Sequence, residues 1–213
     1  MIRAVCLGVL LLLARPLAAA EAVLDLLDPA TPYTAAFTVH SDKGDFSGIV
    51  RHATGRERRD WATKDGGQAL YLNRAEDAAV LLKPTGKWYV GLSLSAVARL
   101  AGGLDSLTVQ RAKLGEDATA GVRATHYRIT AQSFEGEAWF SKDGIPLRIQ
   151  GTLTAPDGRA QWVETELSDV RIGVVDQSWL GIPPGFFGMD LRKVPPEQLE
   201  QAITTLRPLL ERK

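Results

Sequence analysis

Apolar and polar residues alternate with period two over most of the chain, and the alternation is most regular at residues 147–153. Such a pattern places every second side chain on one face of a strand, so that one face packs and the other meets water. An Asp-Gly pair at 143–144 precedes this segment and predicts a tight hairpin turn. We therefore predict three successive antiparallel strands within residues 125–153. The apolar face of the last strand carries Leu147, Ile149, Gly151 and Leu153.

Shorter segments with the same alternation precede and follow this stretch. Turn signals rich in Gly, Asp and Pro separate them about every ten residues, a spacing typical of all-β sandwiches and barrels. A curved antiparallel sheet is therefore the predicted scaffold, and residues 179–189 are predicted to form a loop with several exposed apolar side chains. Further strands are predicted at residues 33–40, 46–52, 56–63, 68–73, 77–83, 87–92, 108–114 and 159–172.

Residues 93–102 interrupt the strands with helical spacing. Leu94 and Val97 share one apolar face, and the Gly102-Gly103 pair ends the segment. An apolar helix between two groups of strands must pack against an apolar surface, and two interpretations fit. The helix plugs the open end of its own barrel, or it is a movable lid over a ligand cavity, hinged at the glycines.

Helical spacing also marks both ends of the mature chain. Residues 21–27 are predicted to form a short helix that Pro29 stops. The tail, residues 191–213, is predicted to form an amphipathic helix with a narrow apolar stripe. This stripe consists of Leu199, Ile203, Leu206 and Leu210.

The first twenty residues have the organisation of a secretory signal peptide. Arg3 precedes an apolar run at 4–13, and three alanines at 18–20 supply a cleavage site. The apolar run is too short to span a membrane. Cleavage after Ala20 removes Cys6, the only cysteine, so the mature protein is expected to be exported, free of thiols and without a transmembrane segment.

The composition argues against several classes of function. The 213 residues include 25 basic and 25 acidic ones, a balance without the positive excess that nucleic-acid binding needs. His40, His52 and His126 fall in predicted strands, where we expect half-exposed side chains rather than metal ligands or catalytic bases. The sequence contains no phosphate loop, nucleophile elbow or dinucleotide fingerprint. We therefore predict no catalytic residue, no metal and no cofactor.

Positive charge gathers around one predicted hairpin, at Arg51, His52, Arg56, Arg58 and Arg59. One interpretation is a soluble edge hairpin whose charges discourage aggregation. The other is a docking site for an anionic lipid head group or an acidic partner, with Arg51, Arg58 and Arg59 as contact residues.

Aromatic residues are spread along the predicted strands, about one in each. They form a packed core, or they line a cavity for acyl chains on a one-sided curved sheet. In the second case, the strand alternation and the helix at 93–102 define the candidate lining residues. These are Phe37, Val39, Trp61, Trp88, Leu94, Val97, Trp139, Leu147, Ile149 and Leu153.

Four motifs carry a resemblance to a known family. They are YTAAFTV at 33–39, THYRI at 125–129, GEAWFSKDGIPLRIQGTL at 136–153 and VETELSDVRIGVVDQSWLGIPPGF at 163–186. With them the chain resembles the LolA-like group of periplasmic proteins, which includes the outer-membrane lipoprotein carrier, its receptor and the lipid-binding domain of a sigma-E regulator. The last motif resembles the family's ending, in which a strand is followed by an aromatic residue, here Trp179, and then by Pro184-Gly185-Phe186. The resemblance covers most of residues 21–190 and is to an uncharacterised branch of the group.

The resemblance implies a mostly β fold with helices, namely a half-open, curved antiparallel β-barrel at 21–190 whose concave apolar face is capped by short helices. It also implies lipid or lipoprotein acyl chains as ligand, and an arginine inside the barrel that holds the lid. Arg51, Arg58 and Arg59 fit that role equally. We therefore expect a soluble periplasmic protein that binds or carries a hydrophobic ligand without catalysis. The alternative is an envelope protein–protein interaction module with a filled core, which acts through the 179–189 loop and the C-terminal helix.

Overall fold

The computed structural model describes residues 21–42, 44–64, 66–100, 108–154, 158–194 and 198. The expected signal peptide with Cys6, the glycine hinge at 102–103 and the apolar stripe of the tail lie outside the described residues. Within these ranges, no helix combines the length and the apolar character needed to cross a membrane.

The chain forms one curved, open sheet of 13 strands. The strands are β1 (Glu21–Ala22), β2 (Tyr33–Ser41), β3 (Phe46–Ala53), β4 (Arg56–Thr63), β5 (Gly66–Asn73), β6 (Ala78–Lys83), β7 (Trp88–Leu92), β8 (Thr108–Thr119), β9 (Val122–Thr130), β10 (Phe134–Ser141), β11 (Pro146–Thr154), β12 (Ala160–Ile172) and β13 (Phe187–Asp190). Their order across the sheet is β1-β8-β9-β10-β11-β12-β2-β3-β4-β5-β6-β7-β13. All neighbours are antiparallel except β13, which runs parallel to β7. The predicted fold class, a mostly β, half-open curved barrel with few helices, is confirmed.

Strand register divides the sheet into a concave and an outer face, because paired residues share a face and neighbours along a strand alternate. The concave face is the one that two short helices cover, α1 (Val23–Leu26) and α2 (Leu94–Leu100). Leu26 of α1 packs there against a cluster of strand residues from β8, β9 and β10. The cluster consists of Val109, Ile129, Ala138 and Phe140.

Helix α2 begins at a capped N-terminus. The Oγ of Ser93 accepts a hydrogen bond from the Ala96 N–H (3.1 Å), and the Asp77 carboxylate accepts one from the Ser95 N–H (3.2 Å). Such side-chain acceptors satisfy N–H groups that have no partner within the helix. The Asp77 contact also ties the start of α2 to the turn between β5 and β6, at the rim of the concave face.

The outer face carries a second core, under the segment that leads to β13. Ala69 and Leu82 are fully buried there, in one cluster with Val175 and Leu180. Residues 173–186 therefore cross the outside of the sheet near β5 and β6 before they reach its edge. This segment overlaps the predicted exposed loop, and only part of that loop is free, because Leu180 is buried.

Three segments differ from their sequence predictions. Glu21 and Ala22, predicted as the start of a helix at 21–27, pair with β8 as the short strand β1, and the helix itself spans only Val23–Leu26. β8 continues to Thr119 instead of ending at 114, because the chain turns only at Ala120 and Gly121, whose φ angles are 50° and 73°. Residues 187–190, predicted as part of a loop, form the edge strand β13. Crossing the outer face brings the chain alongside β7 in the same direction, which makes this pairing parallel.

Glycines allow two strands to approach closely at one point of the concave face. Gly136 of β10 lies directly opposite Gly151 of β11. A Cβ atom on Gly151 would lie 2.5 Å from the Glu135 carbonyl oxygen and 2.6 Å from Cζ of Phe134, whose ring covers the pair. Real Cβ atoms do not approach so closely, so the backbone must shift to accept any larger residue.

We predict that Gly151→Ala lowers the free energy of unfolding by about 1–3 kcal/mol, the usual cost of overpacking. Urea unfolding followed by circular dichroism measures the loss. The matched control is Gly115→Ala in β8, where an added Cβ meets nothing within 4 Å. The control should be neutral or slightly stabilising, because alanine restricts the unfolded chain. Equal stability of Gly151→Ala and the wild type would contradict the close approach.

Candidate functional site

A cavity of about 220 Å³ lies between the concave face and the two helices. Leu27, just after α1, and Leu94, the first residue of α2, contribute its roof. The sheet supplies the walls, from β2 to β5 on one side and from β11 and β12 on the other. The leucine and isoleucine side chains around the cavity are Leu27, Leu70, Leu72, Leu94, Ile149 and Leu167.

A group of polar side chains interrupts this apolar lining. Tyr33, His52 and Glu57 are paired in register across β2, β3 and β4, so all three face the cavity. The rings of Tyr33 and His52 stack with their centroids 5.0 Å apart. Arg59 follows Glu57 by two residues on the same face, and its Nε donates to Glu57 Oε1 (2.7 Å).

Charge compensation keeps Glu57 ionised inside this wall. Burial alone would raise the pKa of Glu57, but the Arg59 charge, the neighbouring His52 and the hydrogen bond from Arg59 lower it to about 2. Tyr33 is correspondingly hard to ionise, because burial, and then the Glu57 charge, raise the pKa of its hydroxyl. The side chain of Glu57 is 11% exposed and that of Arg59 is 32% exposed. The cavity wall therefore carries an ion pair whose cation is the more accessible member.

His52 connects the roof of the cavity to its wall. Its Nε2 lies 2.9 Å from the Pro29 carbonyl oxygen and 3.4 Å from Asp28 Oδ1, whereas Nδ1 lies 3.4 Å from Glu57 Oε2. Nε2 makes the hydrogen bond to Pro29, whereas Nδ1 lies beside the Glu57 carboxylate without a hydrogen bond. Burial lowers the pKa of His52, but the neighbouring Glu57 carboxylate, the Pro29 carbonyl and the Asp28 charge outweigh burial and raise it above its ordinary value. The sequence prediction of a half-exposed histidine was wrong here, since His52 is fully buried.

Asp28 fastens the same roof segment to the turn between β3 and β4. Its carboxylate accepts a hydrogen bond from the Gly55 N–H (2.9 Å) and lies 3.3 Å from Nε of Arg74. Gly55 has a φ of 75°, which glycine adopts without strain. The connection between α1 and β2 is thus held at both Asp28 and Pro29.

Register separates the arginines of the predicted basic hairpin. Arg51 and Arg58 are paired on the outer face, where both contact the Asp60 carboxylate (2.8 Å and 2.7 Å). The Trp179 ring covers them, 4.1 Å from the Arg51 guanidinium and 5.3 Å from that of Arg58. Arg59, on the opposite face of β4, is the one of the three candidate arginines that lines the cavity.

The predicted lining residues occupy several environments. Leu94 and Ile149 line the cavity itself. Phe37, Val39 and Trp61 belong to the neighbouring concave cluster, in which Phe37 is buried and the other two are half-buried. These five residues therefore share one face of the sheet with the cavity or belong to its roof.

The five other predicted lining residues are also absent from the cavity lining itself. Leu147 is fully buried in the cluster that contains Phe37, whereas Leu153 is half-buried opposite Phe134. Trp88 is half-buried in β7, and Val97 is half-buried in α2. Trp139 is buried in the cluster that contains Phe37 and Leu147, and its ring stacks 4.2 Å from His126 and 5.0 Å from the Arg148 guanidinium.

Sequence reasoning missed the polar part of the wall. Tyr33, His52 and Glu57 were not proposed for the site, although Glu57 and Arg59 at spacing two on a strand signal a charged pair on one face. The sequence alone does not show which face of β4 lies on the concave side of the sheet. In the part of the chain that the structure describes, no group of three or more His, Cys, Asp and Glu side chains is placed to hold a metal ion.

Comparison with known proteins gives matches of structure only. No protein-family model matches the chain, and no curated protein is similar to it in sequence. An uncharacterized conserved protein from Thermus thermophilus matches with a TM-score of 0.54 and 14% identity, over 78% of this chain and 96% of that one. The MucA/MucB complex of Pseudomonas aeruginosa matches with a TM-score of 0.47 and 15% identity, over 74% of this chain and 59% of that one.

The LolA superfamily is represented among the structural matches. Its protein NE2245 from Nitrosomonas europaea has a TM-score of 0.38 and 11% identity, over 76% of this chain and 98% of that one. At these identities, the similarity concerns the fold alone.

We predict that His52 stabilises the protein most at mildly acidic pH. Its pKa in the folded state is raised above the ordinary value of 6.5, so the stabilisation is complete below that pH. It is lost as the pH rises through the folded-state pKa, because neutral His52 loses the charge that strengthens its hydrogen bond to Pro29 and attracts Glu57 and Asp28. The difference in free energy of unfolding between wild type and His52→Gln should therefore shrink between pH 6 and pH 9, by about 1.5 kcal/mol for one charge-assisted hydrogen bond.

Urea unfolding of both proteins across this pH range tests the prediction. His40→Gln is the control, because His40 is exposed and its ion-pair partner Asp45 is exposed as well. A wild-type advantage over His52→Gln that stays constant or grows with pH would show that the imidazolium is not the stabilising form.

Proposed function

We propose that the chain is an exported, periplasmic protein that binds or carries an apolar ligand such as an acyl chain, without catalysis. The observation that supports this proposal is the cavity lined by leucine and isoleucine under two short helices. Each methylene group that such a cavity removes from water contributes about 0.8 kcal/mol to binding. Affinity for alkyl ligands should therefore rise with chain length until the cavity is full.

The size of the cavity implies that a helix moves when a ligand enters. Sites for small molecules usually measure about 300–1,000 Å³, and this cavity measures about 220 Å³. The roof segment after α1 is held by His52 and by the Asp28 contacts to Gly55 and Arg74. Helix α2 contributes Leu94 to the cavity and is fixed at its start by Ser93 and Asp77. We assign the moving lid to α2, whose capped start serves as the pivot.

We predict that Ile149→Glu lowers the affinity for a neutral apolar probe, N-phenyl-1-naphthylamine, by tenfold or more. The substitution places a carboxylate among the apolar lining, and an unpaired charge there opposes an apolar ligand. Fluorescence titration measures the affinity, and native mass spectrometry of protein purified without detergent identifies any ligand that the wild type retains.

Thr154→Glu is the matched control for Ile149→Glu. Thr154 lies on the same strand, and its exposed side chain adds the same charge outside the cavity. The control should bind the probe as the wild type does. Wild-type affinity in folded Ile149→Glu, or no uptake of the probe by the wild type, would reject the cavity as a ligand site.

A second candidate function is supported by the edge strand β13. Phe187 is 68% exposed and Met189 is 43% exposed, and within the described residues no strand pairs with the outer edge of β13. An unpaired edge offers backbone N–H and C=O groups to an added strand. The proposed occupant is an extended segment of an envelope protein, in place of the filled-core interaction module that the sequence also suggested.

Deletion of residues 195–213 distinguishes the cavity from the C-terminal helix as the functional element, because it leaves both the cavity lining and β13 in place. A carrier that works through the cavity should bind N-phenyl-1-naphthylamine within twofold of the full chain, because the described lining contains no residue of this tail. An interaction module that needs the C-terminal helix should lose its partner in a pull-down from periplasmic extract while probe binding is unchanged. Loss of probe binding on deletion would show that the tail belongs to the cavity.

A further inference from the structure

The guanidinium of Arg59 offers an unused edge to the cavity. Its Nε donates to Glu57 Oε1, and the second oxygen of Glu57 is directed at His52 instead of at Arg59. In a bidentate arginine–carboxylate pair, two N–H groups meet both oxygens. Across the described residues, the two Nη groups of Arg59 have no hydrogen-bond partner, although the Phe37 ring lies 5.6 Å from the guanidinium carbon. Four N–H donors therefore remain available at a side chain that lines the cavity.

The charge that favours an anion in the cavity is that of Arg59. Three arginines, Arg56, Arg59 and Arg74, and two carboxylates, Asp28 and Glu57, line the cavity within the described structure. Arg74 pairs with Asp28 and also with Asp25, and Arg56 hydrogen-bonds to Gln177. An anion placed beside Arg59 would meet donors that Glu57 does not use, in a site partly shielded from water, where electrostatic attraction is strengthened.

Building on the proposed function, we propose that the cavity binds a single-chain amphiphile whose anionic head, a carboxylate or a phosphate, accepts hydrogen bonds from the Nη edge of Arg59. The planar guanidinium matches both kinds of head group in a two-point contact. Leu70, Leu72, Ile149 and Leu167 receive the hydrocarbon chain. The volume of about 220 Å³ favours one chain over two.

The outer arginines are poor candidates for the same role. Arg51 and Arg58 share the Asp60 carboxylate, and the Trp179 ring covers both guanidinium groups. Neither arginine lines the concave cavity. A head group bound to them would leave its hydrocarbon chain outside that cavity.

Four ligands with the same twelve-carbon chain test the head group. The assay is displacement of N-phenyl-1-naphthylamine from the wild type at pH 7.5, with each ligand below its micelle concentration. The ligands are dodecanoate, dodecyl phosphate, dodecanol and dodecyltrimethylammonium. At least one anion should bind tenfold or more tightly than dodecanol, and the cation should bind most weakly. The ratio of the two anions then distinguishes a fatty-acid-like head from a phosphate head.

Two variants test whether Arg59 causes the preference for anions over dodecanol. Arg59→Gln should reduce the anion-to-alcohol preference to about twofold or less while the affinity for dodecanol changes little. Glu57→Gln should increase the preference for the anions over dodecanol, because it removes the carboxylate that competes for Arg59. Arg123→Gln is the matched control, since Arg123 also pairs with a glutamate, Glu116, but its side chain is 85% exposed and far from the cavity lining.

The outcomes separate this inference from the proposed function. Equal affinity for dodecanoate, dodecyl phosphate and dodecanol, or an unchanged preference in folded Arg59→Gln, overturns the role of Arg59 and leaves the apolar site intact. Failure of all four ligands to displace the probe overturns the proposed function itself. Where Arg59→Gln does not fold, because Glu57 loses its partner, Glu57→Gln decides: an increased preference for anions supports the inference, and an unchanged or decreased one rejects it.

Discussion

The register of the curved sheet determines what each charged strand residue meets. In β4, Glu57 and Arg59 face the cavity, whereas Arg58 and Asp60 lie on the outer face. Each face therefore contains its own acid and its own arginine. A shift of one residue in the register of β4 would move Arg58 and Asp60 to the cavity, and Glu57 and Arg59 to the outer face. Asp60 would then face the cavity without the contact to the stacked rings of His52 and Tyr33 that Glu57 has. Charge pairing within each face thus supports the same register as the alternation of apolar residues.

The Glu57–Arg59 pair is not explained by stability. Moving two ions out of water costs several kcal/mol for each ion, and their attraction only roughly offsets that cost. Two apolar side chains of similar size would serve the fold at least as well. The pair gives the cavity a cation held in place by its own counter-ion, with its Nη edge directed away from Glu57. His52 extends this arrangement to the roof, because it contacts Glu57 on one side and Pro29 on the other.

Period-two alternation was sufficient to predict the antiparallel strands β2 to β12, because each has one face in contact with a core. It was insufficient for β13, which has four exposed residues and pairs in parallel with a strand distant in the sequence. The cavity was predicted through Leu94 and Ile149, whose apolar character and position sufficed. Trp139 was assigned to the same lining, and it lies in the adjoining buried cluster with Phe37, between His126 and Arg148. A one-dimensional pattern contains the alternation but not which of two alternating sets faces inward. Arg59 could therefore be named only together with Arg51 and Arg58, and the contribution of His52 and Glu57 to the cavity wall was not predicted.

The cavity and the exposed edge strand belong to one continuous apolar row. Leu70 in the cavity wall pairs with Leu81, Leu81 pairs with Val90, and Val90 pairs with Met189 of β13. Neighbouring strands lie about 4.8 Å apart, so this row extends roughly 14 Å from the cavity to the edge. A hydrocarbon chain too long for the cavity finds apolar contact in this direction, and its end would cover Met189. A partner strand added to β13 would meet the same side chain. The two candidate functions therefore share a surface, and a long ligand and an edge-bound partner must either compete or contact each other there.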